Sequence, residues 1–219
     1  MRRYRSILLG LAAIGLAGCA EIGLSNRIED IGPDNKIGNR ETVVYGRVQV
    51  IENGTEVADF VGLTNRLEIE LVKIQETPLT ITRTTEDDGS FTWVLDGGTY
   101  LMTHIKRARG NGTYKAPVRG AFRASQSLAV QYLGTVRLAL SVEDGAPGVW
   151  VKEPAVRVDD NFGADTAQLA GRNDWLAQFA AKELMQVSDA LPARAAELDD
   201  ERGMNFAVHV LGRMGLVRF

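Results

Sequence analysis

Few residues in this 219-residue chain are of the kinds that do chemistry at neutral pH. Histidine occurs twice, at His104 and His209, far apart in the sequence. Cysteine occurs once, at Cys19, so no intramolecular disulfide can form. There is no HExxH run and no spacing of His and Cys suited to zinc. Ser90 and Ser141 lack the G-x-S-x-G setting of a nucleophile elbow. Gly97-Gly98 follows one strand-like run and leads into another, not into a helix, so it is no phosphate loop. Glu86-Asp87-Asp88 lacks the spacing and terminal Glu of an EF-hand and is expected to be a solvated turn. These residues imply no cofactor, no metal site and no catalytic constellation. One catalytic alternative remains: Asp159, Asp160 and Asp165 lie close in sequence where the strand-like texture ends. Two of them within roughly 5–10 Å in a cleft would have the geometry of a hydrolase such as a glycosidase.

Three further groups are candidates for binding. Lys106-Arg107-Ala108-Arg109, with Lys115 and Arg119 nearby, is a basic cluster suited to anionic headgroups or an acidic partner, or else an exposed strand end. Trp175 and Phe179 are expected on one helix face, packed on the body or presented to a partner. His104 alternates with Tyr100 and Met102, which places it at a sheet edge or core rim in a structural role. Asn53-Gly-Thr and Asn111-Gly-Thr match glycosylation sequons but read as turns.

Composition bounds the class. Hydrophobic residues make up 45% and charged residues 24%, which excludes a wholly disordered chain. The net charge is −3, and three of the basic residues (Arg2, Arg3, Arg5) stand in the first eighteen positions. Without them the chain is more acidic still, which argues against nucleic acid as a partner. A chain of this length buries roughly 70% of its unfolded surface, enough for a core without staples.

The elements follow from hydrophobic period. Residues 1–6 are basic and residues 7–18 (ILLGLAAIGLAG) apolar, the layout of an export signal. The apolar run is too short for a spanning helix, which needs about 20 residues. Residues 20–40 carry Gly, Asn, Asp and Pro33 without period and read as a tether. From Glu41 the texture is β. TVVYGRVQV (42–50), RLEIELVKI (66–74), LTITRTT (79–85), SFTWVL (90–95), TYLMTHI (99–105), SLAVQYL (127–133), GTVRLAL (134–140) and VWVKEPAVRV (149–158) are strand-like, with turn signals between them. The alternation sets Leu67, Ile69 and Leu71 on one face, as it does Phe91, Trp93 and Leu95, and Val136, Leu138 and Leu140. Asp88-Gly89 predicts a hairpin. Pro154 suits an edge strand or a bend.

After about Asp160 the period becomes helical. Leu176, Phe179, Ala180, Leu184, Val187 and Leu191 predict one helix over 173–191, capped by Asn173 or Asp174. Pro192 would open a second, closed by Gly203. Residues 205–219 fit a helix or a last strand. The organisation expected is therefore a leader (1–18), a tether (19–40), a β-sandwich (41–160) and a C-terminal helical segment (161–219).

Two resemblances sharpen this. Leu16-Ala17-Gly18-Cys19 resembles the lipobox of bacterial lipoproteins. That implies diacylglycerol on Cys19, cleavage before it, a further acyl chain such as palmitate on the new amine, and membrane attachment. Ala20, where aspartate often marks inner-membrane retention, leans toward the outer membrane, periplasmic side. Asp88-Gly89-Ser90-Phe91 through Gly97-Gly98-Thr99-Tyr100 resembles a signature of carboxypeptidase-regulatory-like, or transthyretin-like (prealbumin-like), domains. Tyr132-Leu133-Gly134-Thr135-Val136 resembles a strand pair of lipoproteins carrying that module. The resemblance implies a mainly β, seven-stranded, Ig-like antiparallel sandwich over about residues 41–160. The histidines and tyrosine-rich end of transthyretin-like hydrolases are missing, as are the zinc ligands of the carboxypeptidases. The expected function is that of a non-enzymatic periplasmic envelope protein whose sandwich binds a protein or glycan partner or has a structural role.

Overall fold

The computed structural model describes residues 31–32, 38–62, 65–109, 112–127, 129–145, 148–198 and 201–217. The strands are β1 (Glu41–Glu52), β2 (Thr55–Val57), β3 (Leu67–Ile74), β4 (Leu79–Thr84), β5 (Ser90–Asp96), β6 (Gly98–Arg109), β7 (Gly112–Ala124), β8 (Val130–Gly145) and β9 (Gly148–Asp159). Beyond them come helix α1 (Phe162–Arg172), the single turn α2 (Asp174–Ala177), strands β10 (Ala180–Lys182) and β11 (Gln186–Val187), a 3₁₀ turn (Ala195–Leu198) and helix α3 (Glu201–Arg213).

Two sheets share one core. In the first, β1 lies between β8 on one side and β5 with β2 on the other, while β9 and β10 flank β8. The second runs β11-β7-β6-β3-β4. The alternation read from sequence holds. Leu67, Ile69, Leu71, Phe91, Trp93, Leu95, Val136, Leu138 and Leu140 all join the core between the sheets. The opposite faces are apolar too. Val43, Tyr45, Val130 and Tyr132 lie beneath Leu169 of α1 and Leu176 of α2. Val72, Leu101 and Ala121 lie beneath Leu191, Leu198, Ala207 and Leu211. The layers are thus helix, sheet, sheet, helix.

The protein is mainly β, but it departs from a seven-stranded antiparallel sandwich. Eleven strands occur among the described residues, and β8 runs parallel to both β1 and β10. The VQYL end of SLAVQYL and all of GTVRLAL are one strand, carried through Gly134 at φ +100°. There a bulge sets Gly46 against Leu133 and Gly134, and a Cβ on Gly46 would come within 2.4 Å of the Gly134 carbonyl oxygen. Asp88-Gly89 makes a tight turn with Gly89 at φ +79°, but not a hairpin, because β4 pairs with β3 and β5 with β1. The turn carries the chain from one sheet to the other. Asn53-Gly54 does form the two-residue hairpin turn, both residues having positive φ and Glu52 pairing with Thr55. Pro154 sits beside Glu153 (φ +50°) where the β8–β9 register shifts, so its missing N–H falls at a bulge.

The C-terminal segment corrects the sequence reading most. The helix expected over 173–191 lasts one turn. Asn173 caps it as expected, its side chain accepting from the Leu176 N–H at 2.9 Å. The chain then adds β10 to one sheet and β11 to the other, with Met185 buried between them. The strand edges supply the reason: the Glu183 and Met185 N–H groups bond to the Tyr132 and Leu133 carbonyls at 3.0 and 2.9 Å. Those pairings outweigh the helical propensity of this Ala-, Leu- and Glu-containing segment, as tertiary context routinely does. The helix expected from Pro192 is only a 3₁₀ turn, and Gly203 lies inside α3 instead of closing a helix before it. Of the expected tether, Ile31 is buried against the first sheet's outer cluster.

Candidate functional site

The three junction carboxylates end up with separate partners. Asp159 pairs with Arg157 at 3.1 Å. Asp160 pairs with Lys182 at 2.6 Å and accepts from the Phe162 N–H, and these contacts hold its carboxyl below the ordinary aspartate value. Asp165 is buried under α1. Its Oδ2 accepts from the Tyr132 hydroxyl at 2.7 Å and the Thr135 hydroxyl at 2.9 Å, and Arg47 approaches its Oδ1 at 3.4 Å. The Gly134 bulge is what places Tyr132 and Thr135 on the same outer face. Asn161 closes the network, its backbone N–H donating to the Tyr132 hydroxyl and its side chain to Thr135. Burial, and then the hydrogen bond to Asp165, push the Tyr132 hydroxyl well above the ordinary tyrosine value. Arg47 also bonds to Gln168, which bonds to Asp88. This network pins α1 to the first sheet.

Glu86-Asp87-Asp88 is a turn whose carboxylates serve the fold: Asp88 accepts from the Ser90 N–H at 2.9 Å, and Glu86 pairs with Arg172 at 3.1 Å. Among the described residues no cluster of three His, Cys, Asp or Glu side chains could hold a metal.

The basic cluster is internally neutralised. Arg107 is buried and bonds to Glu52, which also accepts from the Tyr114 hydroxyl at 2.7 Å and faces Arg109 at 3.5 Å. Arg109 pairs with Asp144 at 2.9 Å, Lys106 with Glu68 at 2.9 Å and Lys115 with Glu70 at 2.8 Å. Arg119, at φ +53°, donates to the Asp189 carbonyl. The sequence shows these cations as a run, but their counterions come from strands distant in the chain.

His104 is buried, as expected of a structural residue, but on the other face from Tyr100 and Met102. The β6–β7 register shifts between Met102 and His104, which turns the imidazole outward to meet Glu70 at 3.1 Å. Burial, then the Lys115 charge, hold His104 below the ordinary histidine value despite Glu70. The folded state therefore favours neutral imidazole. Its contribution is present above the unfolded value of about 6.5 and is lost as pH falls toward the folded value. Wild-type melting temperature should decline as pH falls below about 6.5, and His104→Gln should flatten that slope. Parallel slopes in thermal melts across this range would refute the assignment. His209 is on the exposed side of α3.

Trp175 is half-buried against the first outer cluster and meets Phe179 edge-on at 5.0 Å. Phe179 is 48% exposed. Two clefts were not legible in the sequence. One of about 520 Å³ lies at a sandwich end, where Gly97-Gly98, Arg123 and Ser125–Ser127 meet Leu216 and Val217. The other, about 400 Å³, lies on the first sheet's outer face beyond α1 and is lined by Ile51, Arg137, Ala139, Ala155, Val156 and Arg157. Cys19 and Asn111 lie outside the described residues.

No protein-family model and no curated protein matches this chain. Among solved structures, a leucine-rich repeat protein from Bacteroides thetaiotaomicron is similar at 13% identity and a TM-score of 0.31. That match covers 47% of this chain and 14% of the other. A likeness so slight bears on neither fold family nor function. Among the described residues no helix is long and apolar enough to cross a membrane.

Proposed function

We propose that this protein is a lipid-anchored, non-enzymatic envelope protein on the periplasmic side of the outer membrane. Its β-sandwich binds a protein or glycan partner or has a structural role. The observation that carries the reading is Leu16-Ala17-Gly18-Cys19, placed directly after a basic segment and a short apolar run. One acyl chain holds a protein to a membrane marginally, whereas two or more hold it stably. A kinship with carboxypeptidase-regulatory-like, transthyretin-like modules belongs to the same proposal. The Tyr100 hydroxyl, bonded to the Asp96 carbonyl at 2.9 Å beside Gly97-Gly98, supports it. The binding or structural role is favoured over a hydrolase by the separate partners of Asp159, Asp160 and Asp165.

Cys19→Ser tests the anchor. The variant should lose the lipid mass at the mature N-terminus and leave the detergent phase for the aqueous one, or remain uncleaved. A wild-type mature protein that is unmodified and begins at another residue sinks the reading.

A further inference from the structure

Helix α1 covers only part of the first sheet's outer face. Beyond Thr135 that face continues as two cross-strand rows, Gln49–Arg137–Arg157 and Ile51–Ala139–Ala155. The groove of about 400 Å³ lies there. Its floor is aliphatic and low, because Ala139 and Ala155 raise only a methyl group each above the sheet. Two arginines at directly opposed positions, Arg137 and Arg157, also line the groove. Like charges directly opposite across a strand pair are unfavourable. Asp159 relieves Arg157 at 3.1 Å. Arg137 has no carboxylate partner among the described residues, although it is half-buried beside the groove. By contrast, Lys106, Arg107, Arg109 and Lys115 on β6 and β7 each pair with a carboxylate of the chain.

The size of the groove decides what kind of occupant it fits. Small-ligand sites measure about 300–1,000 Å³. A stable protein interface takes about 20–30 residues a side, and this groove has six lining residues. An apolar floor beside paired guanidiniums suits a ligand with an alkyl body and one oxyanion, because guanidinium forks bind carboxylate and phosphate oxygens with charge-assisted hydrogen bonds.

We propose that this groove is a binding site for a single-chain amphiphile with an anionic head. The head oxyanion would be held by Arg137 and Arg157, and the alkyl chain laid over Ala139, Ala155 and Ile51. The proposal does not depend on the Cys19 anchor.

The test uses the full chain carrying Cys19→Ser, so that a failed anchor and a failed groove are read separately. Dodecyl phosphate, kept below its aggregation threshold, should bind saturably at one site by calorimetry. Arg137→Gln should weaken it about tenfold or more, the loss of one hydrogen bond to a charged group. Ala155→Leu, which fills the floor, should weaken it while leaving the guanidiniums in place. Should Arg137→Gln fail to fold, Arg157→Gln reads the same contact. Dodecyltrimethylammonium and inorganic phosphate should each bind far more weakly, one lacking the anion and the other the chain. The proposal is overturned by the absence of saturable binding, by equal binding of the cationic amphiphile, by an acidic peptide without an alkyl chain binding as well, or by affinities unchanged in these variants.

Discussion

A chain ending at Asp160 is expected to lose its soluble, cooperatively folded form. Removing the segment beyond it strips both outer faces of the sandwich. On the first sheet, Val43, Tyr45, Val130 and Tyr132 lose Leu169 and Leu176. On the second, Val72, Leu101 and Ala121 lose Leu191, Leu198, Ala207 and Leu211. Met185 leaves the central core as well. Each large apolar side chain so buried contributes about 1.5–3 kcal/mol, and several together rival the whole stability of a typical domain, about 5–15 kcal/mol. The polar losses add to this. Tyr132 and Thr135 lose Asp165, and part of the edges of β8 and β7 is bared as β10 and β11 go. Bared edges favour pairing between chains. Gel filtration should find aggregate or an expanded species, and a thermal melt should show no cooperative transition. A soluble monomer melting at the temperature of the full chain would mean that the segment is an appendage.

Legibility in the sequence followed the range of the interactions. The core faces of β3, β5 and β8 could be read because a period of two is local and survives whatever pairs with the strand. The sheet assignments could not be. Asp88-Gly89 signals a tight turn, yet nothing in a turn says whether the next strand returns to the same sheet or crosses to the other. The segment 173–191 misled for a related reason. Its stripe fits a helix, but Phe179 and Leu184 of that stripe are exposed, while Met185, off the stripe, is buried. The strand edges that captured residues 180–187 are contributed by β7 and β8, far upstream. The site residues divide in the same way. Arg107 is visible as a cation, whereas Glu52 and Tyr114, which bury it, come from other strands. Arg137 and Arg157 become neighbours only through the β8–β9 register.

Trp93→Ala is expected to destabilise the protein by about 3–5 kcal/mol, the usual range for removing a buried aromatic side chain. Trp93 lies on β5, facing the second sheet, and is 6% exposed. Its ring stacks on Phe91 at 4.1 Å between centroids and 15° between planes. Its indole N–H donates to the Thr84 carbonyl at 3.0 Å. That bond matters beyond packing, because β4 and β5 belong to different sheets and share no ladder. The indole therefore ties the two sheets together along the open side of the sandwich, where the Asp88-Gly89 turn crosses. Alanine would leave a cavity beside Phe91 and an unpaired Thr84 carbonyl, so the loss should fall in the upper part of the range. Trp93→Phe separates the two effects: it keeps most of the stacked volume and removes only the donor, and should cost about 1–3 kcal/mol if the orphaned carbonyl stays dry. Denaturant melts of the three proteins decide the matter. A Trp93→Ala midpoint equal to wild type would place the ring outside the core and shift the register of β5 by one residue.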